Sequence, residues 1–124
     1  MFRYSRQPCD GNGERIDRME YNKLVRDKIP EMIASQGKQA TTYTADKNEY
    51  YARLKAKLME EVNEFQDDEN IEELADILEV LYALCDAMGI PREKLEETRH
   101  NKEIKRGAFQ DRIILERIME DSSW

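Results

Sequence analysis

Two stretches of helical periodicity meet across a short polar break, QDDEN at 66–70, and a chain so arranged folds back on itself as a helical hairpin. The segment TADKNEY offers Thr44 or Asp46 as the N-cap of a helix that runs to about Gln66. On it Tyr51, Leu54, Leu58, Val62 and Phe65 fall within an arc of roughly 80°. Asn70 is a good cap for a second helix from Ile71 to Met88, which Gly89 terminates and Pro91 follows. There Ile71, Leu74, Ile77, Leu78, Leu81, Leu84, Cys85 and Met88 cover a broad face, and Val80, Ala83 and Ala87 extend it round one flank. Glu72, Glu79 and Asp86 leave only a narrow polar stripe. So little polar surface is expected of a helix contacted on two sides, by its own bundle and by a second subunit.

The rest of the chain adds helices around this pair. A helical pattern spans Lys23 to Gln36, with the firm helix starting at Pro30 and Gly37 ending it. KQATTYTA is β-prone but brief, enough for a linker or one short strand. Another helix covers Arg92 to Lys105, Gly107 interrupts, and a last amphipathic piece carries Phe109, Ile113, Ile114, Leu115 and Ile118. The expected fold is all-α, an antiparallel bundle of four to five helices assembled as a homodimer or higher homo-oligomer. Residues 1–18, with Pro8, Gly11 and Gly13 and no apolar periodicity, read as an irregular leader. Met19 resembles a fresh domain start, residues 19–120 form the helical domain, and 121–124, with Trp124, are a frayed end.

At 124 residues the chain supports one core and not two. A net charge of -7 argues against a nucleic acid partner, since phosphate neutralisation needs a basic surface. Asp76, Glu79 and Asp86 break the longest apolar stretch, so no bilayer span and no membrane partner are expected. With no apolar run near the start, no secretory signal is expected, which favours the cytoplasm. Cys9 and Cys85 make no disulfide framework or zinc site; Cys85 is expected as a buried free thiol.

The stretch EEVNEF at 60–65 sets three carboxylates beside apolar positions. On the helical wheel Glu61 lies about 20° outside the apolar arc, Glu64 about 60° further round, and Glu60 nearly opposite, toward water. On the next helix Glu73 and Asp76 share the flank of Val80, Ala83 and Ala87. If the chain reverses near Asp68 and Glu69, position 64 faces 73 and position 61 faces 76. Four acids then converge from two pairs spaced i, i+3. In a chain with 27 acidic residues such a pair by itself commonly means a solvated face. Four facing each other on apolar flanks repel, and a positive partner is required. Mg²⁺ is suited to the role, with Mn²⁺ as its substitute, because hard cations take a few carboxylates and leave positions for water and phosphate oxygens.

EEVNE at 60–64 followed by ELAD at 73–76 resembles the acidic signature of the MazG-like all-α nucleoside triphosphate pyrophosphatases, EExxE and then ExxD. YNKLVRDKIPEMI at 21–33, LADILEVLYAL at 74–84 and KRGAF at 105–109 look like the short branch that also resembles phosphoribosyl-ATP pyrophosphohydrolases, so the likeness covers about residues 19 to 116. Only eight residues, 65–72, separate the two acidic motifs, fewer than in longer members, and this puts the base pocket in doubt more than the chemistry. The resemblance implies metal ligation by Glu61, Glu64, Glu73 and Asp76, and hydrolysis between the α and β phosphates of a nucleotide. Glu60 or Glu64 is the expected proton acceptor for the attacking water.

A polyphosphate substrate needs further cations, and two clusters are candidates: Lys23, Arg26 and Lys28 before the bundle, and Lys102, Lys105 and Arg106 before Gly107. Both have an ordinary alternative role, that of cations complementing the dipole of a helix C-terminus. His100, between Arg99 and Asn101, reads as a solvated residue. The expected function is Mg²⁺-dependent hydrolysis of nucleoside triphosphates, noncanonical ones included, as house-cleaning. The alternatives are phosphoribosyl-ATP pyrophosphohydrolase and a non-catalytic helical dimer that binds a partner protein.

Overall fold

The computed structural model describes residues 22–120, and before them the antiparallel pairing of Ser5–Arg6 with Asp17–Arg18. Within the expected leader this two-residue ladder is the described part; the rest of that leader, Cys9, the Met19 start and Trp124 lie outside the described residues. The fold is all-α, with four helices among the described residues: α1 (Ile29–Ser35), α2 (Lys47–Asp67), α3 (Ile71–Ala87) and α4 (Arg92–Arg106). The chain divides into two units, Met1–Gly89 and Ile90–Trp124. No helix among the described residues is long and apolar enough to cross a membrane.

In the first unit, α2 begins where its cap dictates: Asp46 has extended backbone and its side chain accepts from the Glu49 N–H. α3 starts in the same way, with the Asn70 side chain accepting from the Glu73 N–H at 3.0 Å. Residues 68–70 therefore suffice for the reversal, and α2 packs against α3. Gly89, at φ 71°, supplies the left-handed residue that stops the chain after α3. Pro30 lies in the first turn of α1, where its missing N–H costs nothing. Residues 38–46 form no strand.

The core of the hairpin is Leu54, Val80 and Cys85, with Cys85 a buried free thiol as expected. α3 is rotated relative to its apolar centre. The flank carrying Glu73, Asp76 and Val80 is the sheltered one, while Ile71, Leu74, Leu78 and Met88 are exposed. That rotation answers why acids sit beside buried residues: they share the face that α3 turns to α2.

In the second unit, α4 has no buried residue and is laced by ion pairs of Arg99 with Glu96 and Glu103. His100 is exposed on it, as expected. The expected amphipathic piece beyond Gly107 is not a helix. Residues 112–120 are irregular, and Phe109, Ile113, Ile114, Leu115 and Ile118 are all exposed. A short segment cannot hold helical structure by propensity when no neighbouring element buries its apolar face.

Candidate metal centre

The face shared by α2 and α3 carries three converging carboxylates. One oxygen from each of Glu61, Glu64 and Glu73 lies within 4.8 Å of the others. Glu61 is the most deeply placed, 1% exposed, although on a helical wheel it sits only beside the apolar arc. One turn earlier, Lys57 has a side chain 10% exposed, and its Nζ lies 3.2 Å from Glu61 Oε1. The second oxygen, Glu61 Oε2, is buried without a hydrogen-bond partner, and so is Glu73 Oε2.

Burial pushes the Glu61 carboxyl above its ordinary range, the pair with Lys57 draws it back, and the neighbouring Glu64 pushes it up again. Glu73 is also raised, first by desolvation and then by the charges of Glu64, Asp76 and Asp68. Both carboxyls are harder to ionise than an ordinary glutamate, Glu61 in spite of its pair with Lys57.

The other predicted acids have found cations within the chain. Asp76 does not join the three; Arg26 Nη2 donates to its Oδ1 at 2.6 Å. Glu60, expected to meet water, is covered instead, receiving Lys23 Nζ at 2.7 Å with Lys57 Nζ at 3.5 Å. Burial alone raises Glu60, but the hydrogen bond from Lys23 and the charge of Lys57 outweigh it and hold the carboxyl below its usual range. The correction has a simple cause: a wheel counts only the helix's own faces, whereas residues 22–26 run past α2 and α3 and screen Glu60. Arg53 Nη1 ties that segment down by donating to the Asn22 carbonyl at 2.6 Å.

Two of the expected phosphate-binding cations, Lys23 and Arg26, thus stand against Glu60 and Asp76. Lys28 is exposed at the start of α1. Lys102, Lys105 and Arg106 lie exposed on α4 in the second unit, Lys105 and Arg106 in its last turn, where they complement the dipole. Lys57 was not singled out in the sequence; its spacing, i−4 from Glu61 and i−3 from Glu60, was the available signal.

The donor set fits a hard divalent cation. All three donors are carboxylate oxygens, and Glu61 Oε2 and Glu73 Oε2 are buried without hydrogen-bond partners. Around a cation with bonds of about 2.1 Å, oxygens stand roughly 3 to 4.2 Å apart, so modest side-chain rotation closes the observed spread.

An uncharacterized protein of Mycolicibacterium smegmatis is 48% identical over 44 residues, covering 36% of this chain and 45% of that protein. The chain therefore spans less than half the length of this relative. No solved structure matches the chain. Residues 20–103, which hold the segment 22–26, both acidic helices and most of α4, match the family model described as phosphoribosyl-ATP pyrophosphohydrolase, and the chain belongs to that family.

Proposed function

We propose that this protein is a divalent-metal-dependent pyrophosphohydrolase that cleaves nucleoside triphosphates, modified ones included, between the α and β phosphates. The observation that carries the proposal is the Glu61, Glu64 and Glu73 group with its buried, unpartnered oxygens. Carboxylates this close repel unless a proton or a cation lies between them, and a divalent cation can serve all three at once. Mg²⁺ or Mn²⁺ bound there supplies positive charge for the phosphoryl oxygens and lowers the pKa of a bound water.

The chain's own residues do the rest. Glu61, Glu64 and Glu73 hold the site, and Asp76 completes it when Arg26 leaves for a phosphate oxygen, a better bidentate partner for a guanidinium than one carboxylate oxygen. Lys23 is near enough to serve the same polyphosphate. The water oxygen bonds to the α phosphorus, the bond from that phosphorus to the bridging oxygen breaks, and pyrophosphate leaves with the electron pair. Glu64 takes the water's proton. Glu60 is a poor acceptor because Lys23 and Lys57 hold it ionised.

A second reading, phosphoribosyl-ATP as substrate, is favoured by the description of the matching family. It uses the same acids. Pyrophosphate release measured over ordinary triphosphates, modified triphosphates and phosphoribosyl-ATP, with and without Mg²⁺, tests both. Metal-dependent turnover of triphosphates supports the first reading, turnover of phosphoribosyl-ATP alone supports the second, and none on any substrate contradicts both.

A further inference from the structure

A lysine with its side chain nine-tenths buried inside an acidic cluster needs a reason to be there. Lys57 Nζ sits 3.2 Å from Glu61 Oε1 and 3.5 Å from Glu60 Oε1, and Glu60 Oε1 is also held by Lys23 Nζ at 2.7 Å. A chain of alternating charge results: Lys23, Glu60, Lys57, Glu61. It leads from the segment before α1 to the innermost carboxylate of the site.

At the end of this chain the two Glu61 oxygens have different fates. Oε1 faces a cation of the protein, and Oε2 is buried with no partner. A glutamate carboxylate, carried on three side-chain torsions, ordinarily turns to satisfy both oxygens, and rotation about the last torsion interchanges them. An ammonium fixed on one oxygen and itself fixed by Glu60 removes that freedom. We propose that Lys57 is a positioning residue that pins Glu61 through Oε1, so that Oε2 is the atom presented to the divalent cation, with Glu60 as the anchor of Lys57. The inference rests on the metal-site reading above and assigns to Glu60 and Lys57 the task of orienting a ligand, not of touching the metal.

Charge and orientation make opposite forecasts here, which renders the idea testable. If Lys57 acted only through its charge, neutralising it would remove repulsion and tighten cation binding. If it orients Glu61, neutralising it weakens binding, and partners of metal ligands typically contribute about 10- to 100-fold in affinity. The experiment is calorimetric titration of the metal-free protein with Mn²⁺, for wild type, Lys57→Met, Lys57→Arg and Glu60→Gln, with helical content checked by circular dichroism.

Lys57→Met, which keeps the buried stem, is expected to bind Mn²⁺ at least tenfold more weakly, Glu60→Gln severalfold more weakly, and Lys57→Arg within about threefold of wild type. Unchanged or tighter binding by folded Lys57→Met overturns the inference. Should Lys57→Met fail to fold, a tenfold loss in folded Lys57→Arg, which keeps cation and donor, overturns it instead. Absence of Mn²⁺ binding by the wild type sinks the metal-site reading itself, a result distinct from either.

Discussion

A cation that binds the folded α2–α3 hairpin and not the unfolded chain must raise the melting temperature, and the structure says through which atoms. The perturbation is Mg²⁺ or Mn²⁺ added to protein stripped of metal. In the folded state Glu61, Glu64 and Glu73 offer oxygens within 4.8 Å of one another, whereas unfolding separates α2 from α3 and with them the donors. At a free cation concentration one hundred times the dissociation constant, linkage stabilises the fold by about 2.7 kcal/mol. For a domain near 100 residues this corresponds to a rise of roughly 10 to 20 °C. The assay is thermal unfolding followed by circular dichroism over a series of cation concentrations. Glu61→Gln removes the most buried of the three charges and should cut the rise to less than a third, whereas Glu96→Gln, an exposed acid paired with Arg99 on α4, should leave it intact. No rise in the wild type, or an equal rise in Glu61→Gln, refutes the reasoning.

Further outcomes follow from particular contacts. Leu54→Ala, at a side chain 2% exposed, should destabilise the protein by about 2 to 5 kcal/mol in urea unfolding. Asn70→Ala removes the cap of α3 and should cost about 1 kcal/mol in the same assay. In metal-free protein the raised carboxyls of Glu61 and Glu73 favour the fold at acid pH, and their contribution disappears as the pH climbs through their folded-state values. Glu60 works in the opposite sense, its contribution disappearing as the pH falls. The stability difference between wild type and Glu61→Gln should therefore shift in favour of Gln between about pH 4 and neutrality, an outcome readable from urea midpoints. Arg26→Ala frees Asp76 and should raise the substrate KM more than it changes Mn²⁺ affinity, measured by steady-state kinetics beside calorimetry.

What could be read in advance was the local part. Asp46 and Asn70 announce the starts of α2 and α3 because an N-cap is settled within four residues, and the short polar break between them fixes the hairpin and hence the approach of position 64 to 73. The fate of Asp76 was not legible, because its partner Arg26 is 50 residues away in the chain and approaches through an irregular segment. Glu60 was misplaced for the same reason, its cover coming from Lys23, 37 residues distant. The periodicity of α3 marked a broad apolar face but not which part would be sheltered. The pairing chosen by α2 buries Val80 and leaves Leu74 and Leu78 exposed. Beyond Gly107 the apolar spacing suggested a helix, yet spacing creates only a face, and a helix also needs something to lay that face against.

The central claim is that three carboxylates from two consecutive helices form one cation site. Anomalous diffraction from crystals of the protein grown with Mn²⁺ tests it most directly. The account predicts a manganese peak bonded to Glu61 Oε2 and to oxygens of Glu64 and Glu73. Manganese elsewhere, with Glu61 Oε2 still buried and unpartnered, would contradict it.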